Sequence, residues 1–174
     1  MSGDITAVRK LSATESDRIR SDLLESEQQF SDTWSSVPGR FVVPAEEVSD
    51  LITDPSGARI LSAFAAHGYP EVYCSTTSDL GSAHSDQAVL TPLADVNDWR
   101  WDHAPLDVVV ASPDLAVAVL FSVDEFILIG GNRGFVESAL GRSIADGCAE
   151  FKAYAEDMAT ASRHLPELAR RFCE

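Results

Sequence analysis

"LDVVVASPDLAVAVLFSVDEFILIGG", residues 106–131, is the stretch whose reading decides the fold. Ser112-Pro113-Asp114-Leu115 sets proline at the second position of a β-turn, with "DVVVA" before it and "LAVAVLF" after it, so a hairpin is the natural reading. "SVDE" then turns the chain into "FILIGG". Three consecutive antiparallel strands are expected, over 107–111, 115–121 and 126–130.

Working outward from this core, Gly130, Gly131 and Gly134 mark a strand-to-helix corner. The helix "FVESALG" that follows has Asn132 as its cap and Gly141 as its stop. A longer helix carries Ile144, Cys148, Phe151, Ala155 and Met158 at spacings of four, three, four and three, and Pro166 restarts the chain into "ELARRF". Upstream, Ser12 and Glu15 form a capping box ahead of Ile19, Leu23, Phe30 and Trp34, which predicts a first helix of about five turns. Pro38 and Gly39 break it, 41–43 is β-prone, and Pro44 suits the first turn of a short helix carrying Val48, Leu51 and Ile52. "ARILSAFAAHG" reads as a helix ending at Gly68, and "YPEVYCSTT" as a strand. Residues 78–105 lose periodicity and read as the longest irregular segment. The expected architecture is a single α+β domain over 1–174. Its mainly antiparallel sheet is built around a C-terminal three-stranded meander, with helices packed on one face.

The 174 residues carry 28 Asp and Glu against 13 Lys and Arg, a formal charge of −15. A nucleic-acid backbone or an anionic membrane surface shares that sign and is an unfavourable partner, whereas a basic protein surface is attracted. The acids are spread along the chain rather than gathered in a tail, which also suits a plain solubilising role. No apolar run reaches the length of a signal peptide or a membrane span, so a cytoplasmic location is expected. Three cysteines, Cys74, Cys148 and Cys173, are an odd number without a C-x-x-C spacing, so reduced thiols are expected: Cys148 on the apolar face of its helix, Cys173 exposed near the terminus.

No stretch settles on a chemistry, and no cofactor, metal or catalytic residue is assigned. A phosphate loop needs a lysine and a hydroxyl after its glycines, and Gly130, Gly131 and Gly134 have neither; Arg133 beside the free amides of a helix start is the one feature there that suits an anion. Cys74 in a β-prone run reads as a small buried residue rather than a nucleophile. The pairs His84 with Asp86, and Asp102 with His103, fall in the irregular segment as solvated loop residues.

"LADVNDWRWDHAPLD" is the most informative stretch for function. Asp95, Asp98, Asp102 and Asp107 surround Trp99 and Trp101, and in an extended chain the two indoles project to one side. The acids favour a basic partner, and an exposed tryptophan supplies an anchor; the plainer reading is that both rings cover the sheet. The expected function is a non-catalytic acidic interaction domain, of the inhibitor or immunity type, that binds a basic protein through Asp95, Asp98, Trp99, Trp101 and Asp102. The alternative is a small-molecule-binding protein or enzyme with an anion site at Gly130, Gly131 and Arg133.

Overall fold

The structure is a computed structural model and describes residues 7–174. Its strands are β1 (Arg9–Lys10), β2 (Leu24–Ser26), β3 (Gln29–Phe30), β4 (Arg40–Glu46), β5 (Glu71–Thr76), β6 (Ala88–Pro92), β7 (Val108–Ala111), β8 (Ala118–Phe121) and β9 (Phe126–Asn132). Its helices are α1 (Ala13–Leu23), α2 (Asp32–Ser35), α3 (Pro55–Ala66), α4 (Val96–Asp102), α5 (Arg133–Leu140), α6 (Ile144–Asp157) and α7 (His164–Cys173). Seven strands form one sheet in the order β1-β6-β5-β7-β8-β9-β4, each antiparallel to its neighbour. The class is α+β.

β7, β8 and β9 lie side by side in that sheet, with Val108 opposite Phe121 and Ala118 opposite Gly130. The turn between the first two closes through Leu115 N–H to the Ser112 carbonyl at 2.9 Å, with Pro113 at its second position. Ser112 Oγ accepts from Val117 N–H at 3.1 Å, and Leu115 takes a positive φ of 56°, so the ladder resumes only at Ala118.

Successive side chains of a strand point to opposite faces, and here both faces are covered. Val108, Val110, Val119, Phe121, Ile127 and Ile129 pack on one side, with Phe64 of α3, Trp99 of α4 and Phe135 of α5. Val109, Ala111, Ala118, Leu120 and Leu128 pack on the other, with Leu23, Trp34, Phe151 and Leu165 from α1, α2, α6 and α7. The expectation of helices on one face is therefore corrected to a sheet sandwiched between two helical layers. The α6 helix contributes to both, since Cys148 packs with the first cluster and Phe151 with the second. It packs against β4, the edge strand of the sheet.

Three local expectations are also corrected. The first helix stops at Leu23, where β2 and β3 form a tight hairpin; Ile19, Leu23, Phe30 and Trp34 still share one cluster, so the hairpin reproduces the spacing of a helical face. Pro44 does not open a helix but sits inside β4, an edge strand, where its missing N–H breaks no ladder. The segment 78–105 carries regular structure from residue 88 onward: β6 zips onto β5, with Ser75 opposite Ala88, and α4 follows.

Cys148 and Cys173 form a disulfide with a Cα–Cα distance of 5.3 Å, against the expectation of reduced thiols, because α7 packs on α6 and brings its last turn to Cys148. Cys74 is left as the free cysteine, inside β5. Among the described residues no helix is long and apolar enough to cross a membrane.

Candidate functional site

The stretch expected to be extended is the helix α4. Val96, Asn97 and Trp99 face inward, while Asp95, Asp98, Trp101 and Asp102 are exposed. Two positions along a helix turn a side chain by about 200°, so the two tryptophans part rather than project to one side. Trp99 is 6% exposed, stacks on His103 at a centroid distance of 4.2 Å, and donates from Nε1 to the Asp86 carbonyl at 2.9 Å. Trp101 is 54% exposed. The structure thus separates the five residues singled out in this stretch: Trp99 is a core residue, and the other four form a solvent-facing surface.

That surface is wider than the sequence stretch suggests. Asp50 accepts Trp101 Nε1 at 2.9 Å and Asn97 Nδ2 at 3.1 Å, while its other oxygen accepts the backbone N–H of Ile52 and Thr53 at 2.7 and 2.8 Å. These bonds, the Thr53 N–H first and the Trp101 indole next, hold the Asp50 carboxyl well below its ordinary range. It therefore adds a firm negative charge beneath the indole. Arg100 ties the same loop down, donating to the Val48 carbonyl at 2.7 Å and lying over the Phe121 ring. Ile52, next to Asp50, is 60% exposed. The result is an acidic face with two exposed apolar side chains, Trp101 and Ile52, of which Trp101 is anchored through its indole N–H. Asp50 and Ile52 lie some fifty residues upstream of Trp101, so no local signal in the sequence joins them to it.

The glycine corner is a packed junction. Gly130 and Gly131 stand in β9, opposite Val42 and Phe41 of β4. A side chain at Gly130 would place Cβ 2.7 Å from the Trp34 ring, and one at Gly131 would place it 2.7 Å from Val117 Cγ1. Arg133 lies over the Phe41 ring and pairs with Glu137 at 3.9 Å, while Asn132 Oδ1 accepts Phe135 N–H at 2.8 Å as the cap of α5. Close approach of backbone to the tryptophan and valine side chains accounts for both glycines. Gly130→Val is expected to lower stability by about 1–3 kcal/mol through overpacking, measured by denaturant unfolding. Trp34→Ala in the same background should restore part of the loss if the ring contact is the cause.

The remaining chemical candidates are held by structure. Cys74 is completely buried, and burial pushes its thiol well above its ordinary pKa, so no thiolate is available for attack. Asp86 and His103 come within 3.7 Å, yet His103 is buried with Nδ1 2.8 Å from the Trp99 carbonyl. Among the described residues no three His, Cys, Asp or Glu converge as metal ligands would. A cavity of about 250 Å³ has no signal in the sequence at all: it is walled by β4, β9, α3, α5 and α6, and is lined by Arg59 and Arg142 among others and by none of Gly130, Gly131 or Arg133. Compared with known proteins, the chain matches no family model, no curated sequence and no solved structure.

Proposed function

We propose that this chain is a non-catalytic interaction domain whose α4 face docks a basic protein surface, in the manner of an inhibitor or immunity protein covering a positively charged site. The observation that carries the reading is the half-exposed Trp101 set among Asp50, Asp98 and Asp102, on a chain with a formal charge of −15. A tryptophan ring offers a large contact area with few rotatable bonds to immobilise, and its fixed indole N–H lowers that entropic cost further. The surrounding acids speed encounter with a cationic partner and disfavour anionic ones. Trp99 leaves the contact surface and becomes its support, because its ring fixes α4 on the sheet.

The test begins with capture of the partner by crosslinking in the native cell, followed by association kinetics on the purified pair. Trp101→Ala is expected to weaken binding by about 2 kcal/mol or more, with little change in the melting temperature of the free protein. Replacing Asp95, Asp98 and Asp102 together by Asn should slow association, and the slowing should shrink as salt is raised. Unchanged affinity in both variants would place the interface elsewhere and remove the reading.

A further inference from the structure

We propose that the cavity between α3, α5, α6 and β4 is a binding site for a zwitterionic amino acid with an apolar side chain. The cavity is about 250 Å³, and its inner wall is apolar, made by Ile60, Ile127, Ile129, Leu140 and Phe151. It is a second site, independent of the α4 face.

Its lining carries charges of both signs, and Asp54, Arg142 and Glu150 already have partners within the protein. Asp54 caps α3, accepting from Ser56 N–H, and also takes Ser49 N–H and Oγ–H. Arg142 is paired with Glu150. Arg59 is different. One of its Nη atoms donates to Ser56 Oγ at 3.1 Å, its Nε is buried with no hydrogen-bond partner, and among the described residues it forms no ion pair. A buried, unsatisfied guanidinium N–H is costly to leave unmatched, and a carboxylate is the group that matches its planar fork.

The guanidinium is also held in place. Arg59 Cδ and Nε lie where a side chain at position 141 would be, with the Cβ of such a residue only 2.7 Å from each atom. Gly141, at φ +71° after the last turn of α5, leaves that space open. The cation is therefore preorganised against a helix end rather than free to swing.

A bare anion is a poor fit, because the chain is strongly acidic and Glu46 and Glu47 line the same cavity. Among the described residues neither carboxylate has an ion pair or a hydrogen bond, although Glu47 also acts on the Arg100 guanidinium from a distance, so both carboxylates are open to a cationic group at the cavity wall. A bare cation would meet Arg59 instead. A ligand with one charge of each sign and an apolar body uses every open feature: carboxylate on Arg59, ammonium on Glu46 and Glu47, side chain on the isoleucine and phenylalanine wall. Tyr154 closes one side, donating to the Glu125 carbonyl at 2.8 Å; burial and then Glu46 and Glu47 push its hydroxyl up to about 12, so it stays neutral beside them.

The test is titration calorimetry of the full chain with L-leucine, 4-methylpentanoate, which lacks the ammonium, and 3-methylbutan-1-amine, which lacks the carboxylate. L-Leucine is expected to bind saturably, with each analogue weaker by about tenfold or more. Arg59→Gln should abolish the heat of L-leucine binding. Because Arg59 packs against Gly141, its variant is checked by circular dichroism, and the exposed pair Glu46→Gln/Glu47→Gln is measured beside it; that pair should weaken L-leucine about tenfold while leaving 4-methylpentanoate unchanged or tighter. The proposal is overturned if L-leucine, L-methionine and L-phenylalanine all fail to saturate at about 10 mM. It is equally overturned if 4-methylpentanoate binds as tightly as L-leucine, or if the glutamate pair leaves L-leucine binding unchanged.

Discussion

Trp99→Ala is expected to cost about 3–5 kcal/mol of folding stability, the range for truncating a buried aromatic side chain. Trp99 is 6% exposed, sits in the cluster that includes Val96 and Phe121, and stacks on His103. Its removal leaves a cavity beneath α4 and strips the Asp86 carbonyl of its indole donor. It also frees His103 from the ring that covers it. Denaturant unfolding should show the loss as a lowered midpoint. Trp99→Phe, which keeps the stacked ring but not the N–H, should retain most of the stability. Trp101→Ala, two residues away, should stay within about 0.5 kcal/mol of the parent, as surface substitutions do. Equal melting of the Trp99→Ala protein and the parent would mean that α4 is not seated on the sheet as described, and the Trp101 surface would lose its support with it.

Reduction of the Cys148–Cys173 bond is the second large effect. The bond closes a segment with a sequence separation of 25, and a loop of that size constrains the unfolded chain by about 3 kcal/mol. Cys173→Ser should therefore lower stability by that order, and a reducing agent should do the same to the parent while leaving the variant unmoved. Unfolding curves with and without reductant measure the difference, and thiol counting under denaturing conditions gives one free thiol before reduction and three after. Three free thiols in the unreduced protein would remove the bond and the prediction together. In the folded parent Cys74 should resist alkylation, since it is completely buried.

What was legible in the sequence follows from how local each signal is. The Ser112-Pro113-Asp114-Leu115 turn is specified by four adjacent residues, and its hydrogen bond is where that chemistry places it. The caps Ser12, Asn132 and Gly141 are equally local and are all in use. The covering of both sheet faces was written in the same stretch: "VVVA" and "FILI" are apolar without alternation, the mark of strands buried on both sides. The α4 helix was hidden because it has only seven residues and no side-chain cap, so its inward Val96 and Trp99 are the whole pattern. Pro44 misled because a proline reads as a breaker until the strand that holds it is known to be an edge. The acidic face was legible at Asp95, Asp98, Trp101 and Asp102 but not at Asp50 or Ile52, and Arg59 was not legible at all. Its setting depends on Gly141 and on Glu46 and Glu47 at the end of β4, groups that only the folded chain brings together.

The packing of α6 and α7 on β4 bears on self-association. A seven-residue edge strand presents a row of unpaired backbone groups, which is a template for a strand from another molecule. In this protein α6 and α7 pack against that strand, and the opposite edge ends in β1, only two residues long. The terminal helices thus act as a guard against strand-by-strand polymerisation, and the Cys148–Cys173 bond locks the guard to itself. Loss of α7 from the sheet would uncover β4 and leave its outer backbone groups open to pairing with a strand of another molecule.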